Sequence, residues 1–286
     1  SIARLFIMPH NVGDSMQNPT HDLTPYRRLR DELKPKLGLK TRIIVKAGAK
    51  FYFDQVPGRK WIAITVPPYE DGYAAAGFVH YLGHAKLFED GWPRISVTVS
   101  VTSRGLLTQL NSMEEAKQKK SKLYWASRTE DSYFDFFVWR LITDKFGTDW
   151  LKRMLRATVT NDIAILKNFF VAEQKSEWLD IHRYLYCLDW FAMLWALTDM
   201  YGLKTEKQRL DKLFQTALGW RCFMPRYQKI VPARIRFVRS YYARLAKDFP
   251  SAHSLMNSRA KFKQKFLGYY DHVWKALGVN IKIFWP

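Results

Sequence analysis

Cysteine is nearly absent from this chain, with Cys187 and Cys222 the only two in 286 residues. Two thiols cannot build the disulfide framework of a small secreted scaffold, and Cys187, inside an apolar segment, reads as a small buried hydrophobe. A reducing intracellular compartment fits that usage. No charged n-region, apolar h-region and cleavage site open the sequence, so no signal peptide is expected, and a start at Ser1 suggests a trimmed or processed chain. Uninterrupted apolar runs are missing too. The longest, YLYCLDWFAMLWALTDMYGL from Tyr184 to Leu203, is broken by Asp189 and Asp199. Each carboxylate at bilayer depth costs about 2.5–3.5 kcal/mol, so this segment reads as a buried helix and no membrane span is expected. There is no internal repeat, low-complexity tract, zinc-finger spacing, RNP motif or Walker loop, which leaves sequence-specific nucleic-acid readout without a motif.

Acidic residues are scarce. Asp and Glu total 26 against 46 Lys and Arg, a formal charge of +20. The imbalance is concentrated: from Lys204 onward there are 18 Lys/Arg against 4 Asp/Glu, a net +14. Such a field attracts phosphate backbones, anionic surfaces or acidic proteins. The segments PRYQKIVPARIRFVRSYYARLAKDF and NSRAKFKQKFLGYYDHVWKALG interleave cations with aromatics. Arg236, Arg239 and Lys263 are the candidates for contacting nucleic acid or another polyanion. The aromatics there either stack on bases or form core stripes beneath a cationic outer face.

Apolar residues, by contrast, are plentiful. The hydrophobic share is 48 % and the aromatic share 16 %, which excludes a disordered chain and supplies ample core. A short basic helix is expected over Pro25 to Leu37. Strands are expected at TRIIVK (Thr41 to Lys46) and KWIAITVP (Lys60 to Pro67), which are β-branched and bounded by Gly or Pro, and at the alternating RISVTVSVTS (Arg94 to Ser103). Between them AAAGFVHYLGHAKLFED reads as a helix, stopped by Gly91 and Pro93. Beyond Leu106 the periodicity turns helical, near 107–122, 129–145, 149–157, 162–171, 177–201, 206–218, 232–247 and 255–277. The fold class is therefore α+β: a small mixed sheet with one central helix in residues 1–105, then a mostly helical part in 106–286.

The chemistry concentrates in GFVHYLGHAKLFEDG, Gly77 to Gly91. Residues four apart on a helix differ by about 40° and stack on one face. His80 and His84 can therefore offer both imidazoles to one zinc ion, which accepts tetrahedral N and O ligands. The alternative is a pair of satisfied histidines on a buried helix.

VHYLGHAKLF, with KWIAITVP upstream, resembles the active-site helix of the zincin metallopeptidases, and most of all the H-E-L-G-H pattern among them. The likeness extends over roughly Arg42 to Trp139, about a third of the chain. It implies a Zn²⁺ cofactor and a protein or peptide substrate. In that family the residue after the first histidine is a glutamate, the general base toward zinc-bound water. Here it is Tyr81, whose phenol, with an ordinary pKa of about 10, is a poor base at neutral pH. The resemblance thus implies a catalytically disabled zinc metallopeptidase: either a natural pseudoprotease or an active parent changed at this position, the intact neighbours favouring the second. The other reading is a polyanion-binding protein with structural histidines.

The third ligand has several candidates. Asp90 lies ten residues past His80, but Leu87 replaces the glycine that would turn the chain back, so Asp90 reads as a surface residue at a helix end. In the gluzincin branch the ligand is a glutamate on a later helix, with an acid four residues on. SRTEDSYFDFFVWRLITDKFG (Ser127 to Gly147) resembles that helix, leaving Glu130 and Asp131 as competing ligands and Asp135 as the acid that orients a ligand imidazole. Glu130 also completes a capping box with Ser127, and Asp131 suits a first helical turn. His182, Tyr184 and Tyr186 are weaker candidates for stabilising a developing charge. Glu114 and Glu115 lie in a charged run and read as solvated.

Overall fold

A computed structural model describes residues 21–54, 60–92, 96–101, 134–158, 192–217, 225–248, most of 260–268, and 279–284. Within these ranges α1 is Thr24–Leu37, β1 Arg42–Ala47, β2 Tyr52–Asp54, β3 Trp61–Val66, α2 Tyr73–Glu89 and β4 Ser96–Val101. Helices α3 and α4 cover 134–146 and 149–158. They are followed by α5, Ala192–Met200; α6, Lys204–Ala217; α7, Pro225–Asp248; and β5, Val279–Phe284.

Contacts divide the chain into two units. The first combines Ser1–Trp92 with Phe137–Ala157, and the second combines Pro93–Phe136 with Thr158–Pro286. In the first, β3 is the central strand of three, parallel to β1 and antiparallel to β2. The α+β class with a small mixed sheet is therefore what this chain adopts. Pairing of Ile43 with Ile62 and Val45 with Ile64 aligns β-branched side chains whose burial holds the register. In the second unit β4 pairs antiparallel with β5, so the alternating strand after Pro93 has its own partner and does not extend the first sheet.

Helix α2 is the centre of the first unit. Most of its residues, from Ala74 to Leu87, are buried, so it reads apolar all round and not as a one-sided surface helix. Its start is set by Glu70, whose carboxylate accepts from the backbone N–H groups of Tyr73 and Ala74 and meets the positive end of the helix dipole. At its other end Gly91, with φ 84°, takes the left-handed conformation. The Gly91 and Trp92 N–H groups return to the Phe88 and Leu87 carbonyls at 3.0 Å, the stop that the sequence predicts. Helix α1 packs on α2 through Tyr26, whose ring meets Phe78 edge-on at 5.2 Å and whose hydroxyl donates to the Pro67 carbonyl at 3.0 Å.

Glu89, in the last turn of α2, ties that turn to β1. Its carboxylate accepts from the backbone N–H of Lys40 at 2.8 Å and of Thr41, and from the Thr41 hydroxyl at 2.7 Å. Burial alone would push this carboxyl up; the hydrogen bonds and the Lys86 ammonium overturn that and hold it below its ordinary value. A carboxyl lowered in the folded state contributes stability above its unfolded pKa, near 4.3, and that contribution is lost as pH falls through the folded value. The urea midpoint is therefore expected to fall below about pH 5. Glu89→Gln should flatten that acid limb and cost about 1.5–3 kcal/mol at neutral pH, the range for hydrogen bonds to a charged group.

Candidate metal centre

The sequence of α2 sets His80 and His84 one turn apart, and the fold turns both rings toward one point. Their Nε2 atoms are 3.0 Å apart, with ring centroids at 4.6 Å and planes nearly perpendicular at 84°. Two imidazoles on one tetrahedral zinc, each bonded at about 2.0–2.1 Å, bring their nitrogens to about 3.3 Å. The observed spacing is within a few tenths of an ångström of that.

Helix α3 supplies the acid. Asp135, Val138, Trp139 and Ile142 recur at i, i+3, i+4 and i+7 and so share one helical face. Val138 and Ile142 on that face press against Gly83, between the histidines: a Cβ there would lie 2.7 Å from Val138 Cγ1 and 3.2 Å from Ile142 Cδ1. Glycine is what permits the two helices to approach so closely. One turn before Trp139, Asp135 brings a carboxylate oxygen into the group, and the ligand atoms of His80, His84 and Asp135 all lie within 4.8 Å of one another. This buried group can hold a metal ion. No other such group of His, Cys, Asp and Glu occurs among the described residues.

Burial gives the centre its electrostatics. His80 and Asp135 are each 1 % exposed, and His84 is half-buried. A carboxylate at that depth is tolerated only with a cation or hydrogen-bond donors close by. Around it stand aromatic rings: Trp139 stacks on His80 at 5.0 Å and 29°, and Phe53 of β2 lies 6.1 Å from the ring of His84. The half-exposed His84 edge is the approach from solvent.

Tyr81, the residue after the first histidine, is 2 % exposed and joins an aromatic stack. Its ring lies 5.3 Å from Phe51 and 5.9 Å from Phe53, and Phe53 continues the stack to Phe88 at 5.5 Å. Gly77, one turn earlier, leaves room for Phe51, since a Cβ there would lie 2.6 Å from that ring.

Among the sequence candidates, His80, His84 and Asp135 come together, with Tyr81 beside His80. Asp90 is an exposed helix-end residue paired with Lys86 at 2.5 Å, as the missing turn at Leu87 implies. Glu130, Asp131, Glu114, Glu115, His182, Tyr184 and Tyr186 lie outside the described residues, as do both cysteines. Of the basic candidates Arg236 and Lys263 are exposed. Arg239 is half-buried, 4.8 Å over the Trp195 ring and 3.6 Å from the Asp199 carboxylate. Sequence reasoning missed Trp139 and the aromatic stack of β2. The i, i+4 spacing of Asp135 and Trp139 was the available signal for the first.

No protein-family model, curated protein or solved structure matches the chain. No helix among the described residues is long and apolar enough to cross a membrane.

Proposed function

We propose that this chain is a zinc-binding protein of zincin metallopeptidase type in catalytically disabled form, with His80, His84 and Asp135 as the protein ligands. The observation that carries the reading is the 3.0 Å approach of the two Nε2 atoms with a buried carboxylate from another helix inside ligand reach. Two imidazoles and one carboxylate are a donor set that suits zinc and leaves a fourth position open. Zinc bound there supplies Lewis-acid polarisation of a carbonyl oxygen.

The chain's own residues shape the rest of the site. His84 opens it to a peptide, Trp139 fixes the plane of the His80 ring, and the aromatic shell excludes water. The proton-accepting role is what this site lacks, because Tyr81 offers a buried phenol where a carboxylate would serve as base. The ring's place between Phe51 and Phe53 supports a protein whose packing is built around the tyrosine over a single disabling change in an otherwise active enzyme.

The test joins metal analysis of purified protein to peptide cleavage by the native chain, Tyr81→Glu and Tyr81→Gln. Zinc is expected near one equivalent, with no turnover by the native chain. Tyr81→Glu should exceed Tyr81→Gln by about 10²–10⁴-fold in rate, the usual contribution of a general base. The glutamine variant loses the same ring stacking and gains no base, so it isolates the proton transfer. Turnover by the native chain contradicts the disabled state. A folded, zinc-loaded Tyr81→Glu protein that stays inert contradicts the peptidase reading, and a chain without zinc removes both.

A further inference from the structure

Helix α7 carries charge that the metal centre does not use. Along its last four turns the exposed residues among those described are Arg236, Ser240, Ala243, Arg244 and Lys247. At about 100° per residue the three cations fall within about 80° of the helix circumference, and at 1.5 Å rise they span about 16 Å. Only small residues separate them on that face, and no described carboxylate lies within ion-pair distance of any of the three, although Asp248 acts on Lys247 at longer range. The nearby acids are already engaged: Asp248 pairs with Lys265 at 2.8 Å, and Asp199 pairs with Lys207 and Arg239. The other face of α7 is spent on packing, with Tyr241, Tyr242 and Leu245 buried. Exposed Lys263 belongs to the segment whose Lys265 carbonyl accepts the Tyr241 hydroxyl, so it adds a cation beside the same helix.

Three polyanions could answer such a stripe, and the surroundings separate them. Single-stranded nucleic acid is held by aromatic platforms as well as cations. Here Tyr241 and Tyr242 are buried, and Phe237 lies 6.0 Å beneath the Arg244 guanidinium, so among the described residues of α7 no ring is presented for stacking. An anionic membrane binds interfacial helices through an apolar face laid into the lipid. The apolar residues Tyr241, Tyr242 and Leu245 of α7 are buried, and Tyr52, in the other unit, is the one large exposed hydrophobe among the described residues. A duplex backbone needs neither device, only a row of cations facing a row of phosphates.

We infer that the Arg236–Arg244–Lys247 stripe of α7 is a docking surface for a nucleic-acid duplex, held through its phosphates and indifferent to its sequence. This inference is independent of the zinc reading. Arg239 is excluded from the surface: its guanidinium serves Asp199 and Trp195 within the fold. The surrounding net charge of +14 from Lys204 onward adds long-range attraction without adding register.

The experiment is fluorescence anisotropy of the full chain with a labelled DNA duplex of about 20 base pairs, repeated over roughly 50–200 mM salt. Each phosphate neutralised contributes about −0.9 to the slope of log affinity against log salt. R236Q/R244Q/K247Q should therefore make the slope shallower by about 2.7 and weaken binding more than about tenfold at the lowest salt. The charge-matched control R27Q/R28Q/R42Q, which removes exposed cations of the first unit, should move the slope by less than about one. The single variants Arg236→Gln and Arg244→Gln, each expected to take about 0.9 from the slope, keep the test valid if the triple variant melts early. Equal slopes for native chain and triple variant, an equal effect of the control, or tighter binding to phosphatidylserine vesicles than to the duplex would each overturn the assignment.

Discussion

If the His80, His84 and Asp135 group holds zinc as proposed, replacing His80 with alanine is expected to abolish metal binding. Zinc affinity should fall by more than about a hundredfold, beyond the 10–100-fold typical of losing an outer hydrogen-bonding partner. His84→Ala should do the same, because the two Nε2 atoms, 3.0 Å apart, form the only pair of nitrogens in the cluster. Neither substitution leaves a substitute ligand on α2: the helix neighbours Ala76, Tyr81 and Gly83 offer no second imidazole or thiolate. Asp135→Asn keeps the shape and removes the charge, so it should lie between native and histidine variants. Competition against a chromophoric chelator measures all of these on one scale. The same variants should lose the thermal stabilisation that bound zinc is expected to give the native chain, about 2.7 kcal/mol at a hundred times the dissociation constant. A His80→Ala protein that retains zinc with native affinity would place the metal elsewhere.

The second large effect falls on Trp139. This indole is 1 % exposed, stacks on the His80 ring at 5.0 Å and sits one helical turn from Asp135. Trp139→Ala is expected to cost about 3–5 kcal/mol of stability, the range for emptying a buried aromatic site. It should also weaken zinc binding, since the His80 ring loses the plane that orients it. Trp139→Phe keeps a ring in the stack and should recover most of both losses. Urea unfolding with and without added zinc separates the two contributions. An alanine variant as stable as native, or one that binds zinc undiminished, would show that the stack positions nothing.

Much of this architecture is readable in the chain, and the exceptions share a cause. Strands β1 and β3, helices α1 and α2 and the stop at Gly91 arise from local patterns of branched residues, apolar runs and glycine. Strand β2 does not, because Tyr52–Asp54 is three residues long and gains its conformation from pairing with β3 and from the rings of Tyr81 and Phe88. Strand β5 hides for a related reason. VNIKIF alternates as a strand should, but it comes after a long helical pattern and its partner β4 is far away in sequence. Helix α7 begins at Pro225, and not near residue 232, because a proline at the first helical position is as good a start as the later one.

The site shows the same division. Four-residue spacing is enough to place His80 and His84 on one face. Which acid joins them is not a local property: the sequence offers Glu130, Asp131 and Asp135 on one stretch, and Asp135 is the one of the three among the described residues. Asp135 enters because Gly83 lets α3 approach α2 on the face that Val138 and Ile142 share with it. Contact between helices, and not propensity, brings Asp135 to the histidines. The aromatic setting of Tyr81 is equally invisible to motif reading, since Phe51 and Phe53 are about thirty residues away, at and just before β2.

The most direct test is anomalous diffraction from crystals of the zinc-supplemented protein, collected on both sides of the zinc absorption edge. A single strong peak is expected about 2.0–2.2 Å from Nε2 of His80, Nε2 of His84 and a carboxylate oxygen of Asp135. A map empty at that position, or a peak held by other residues while the two imidazoles remain in mutual contact, would contradict the account.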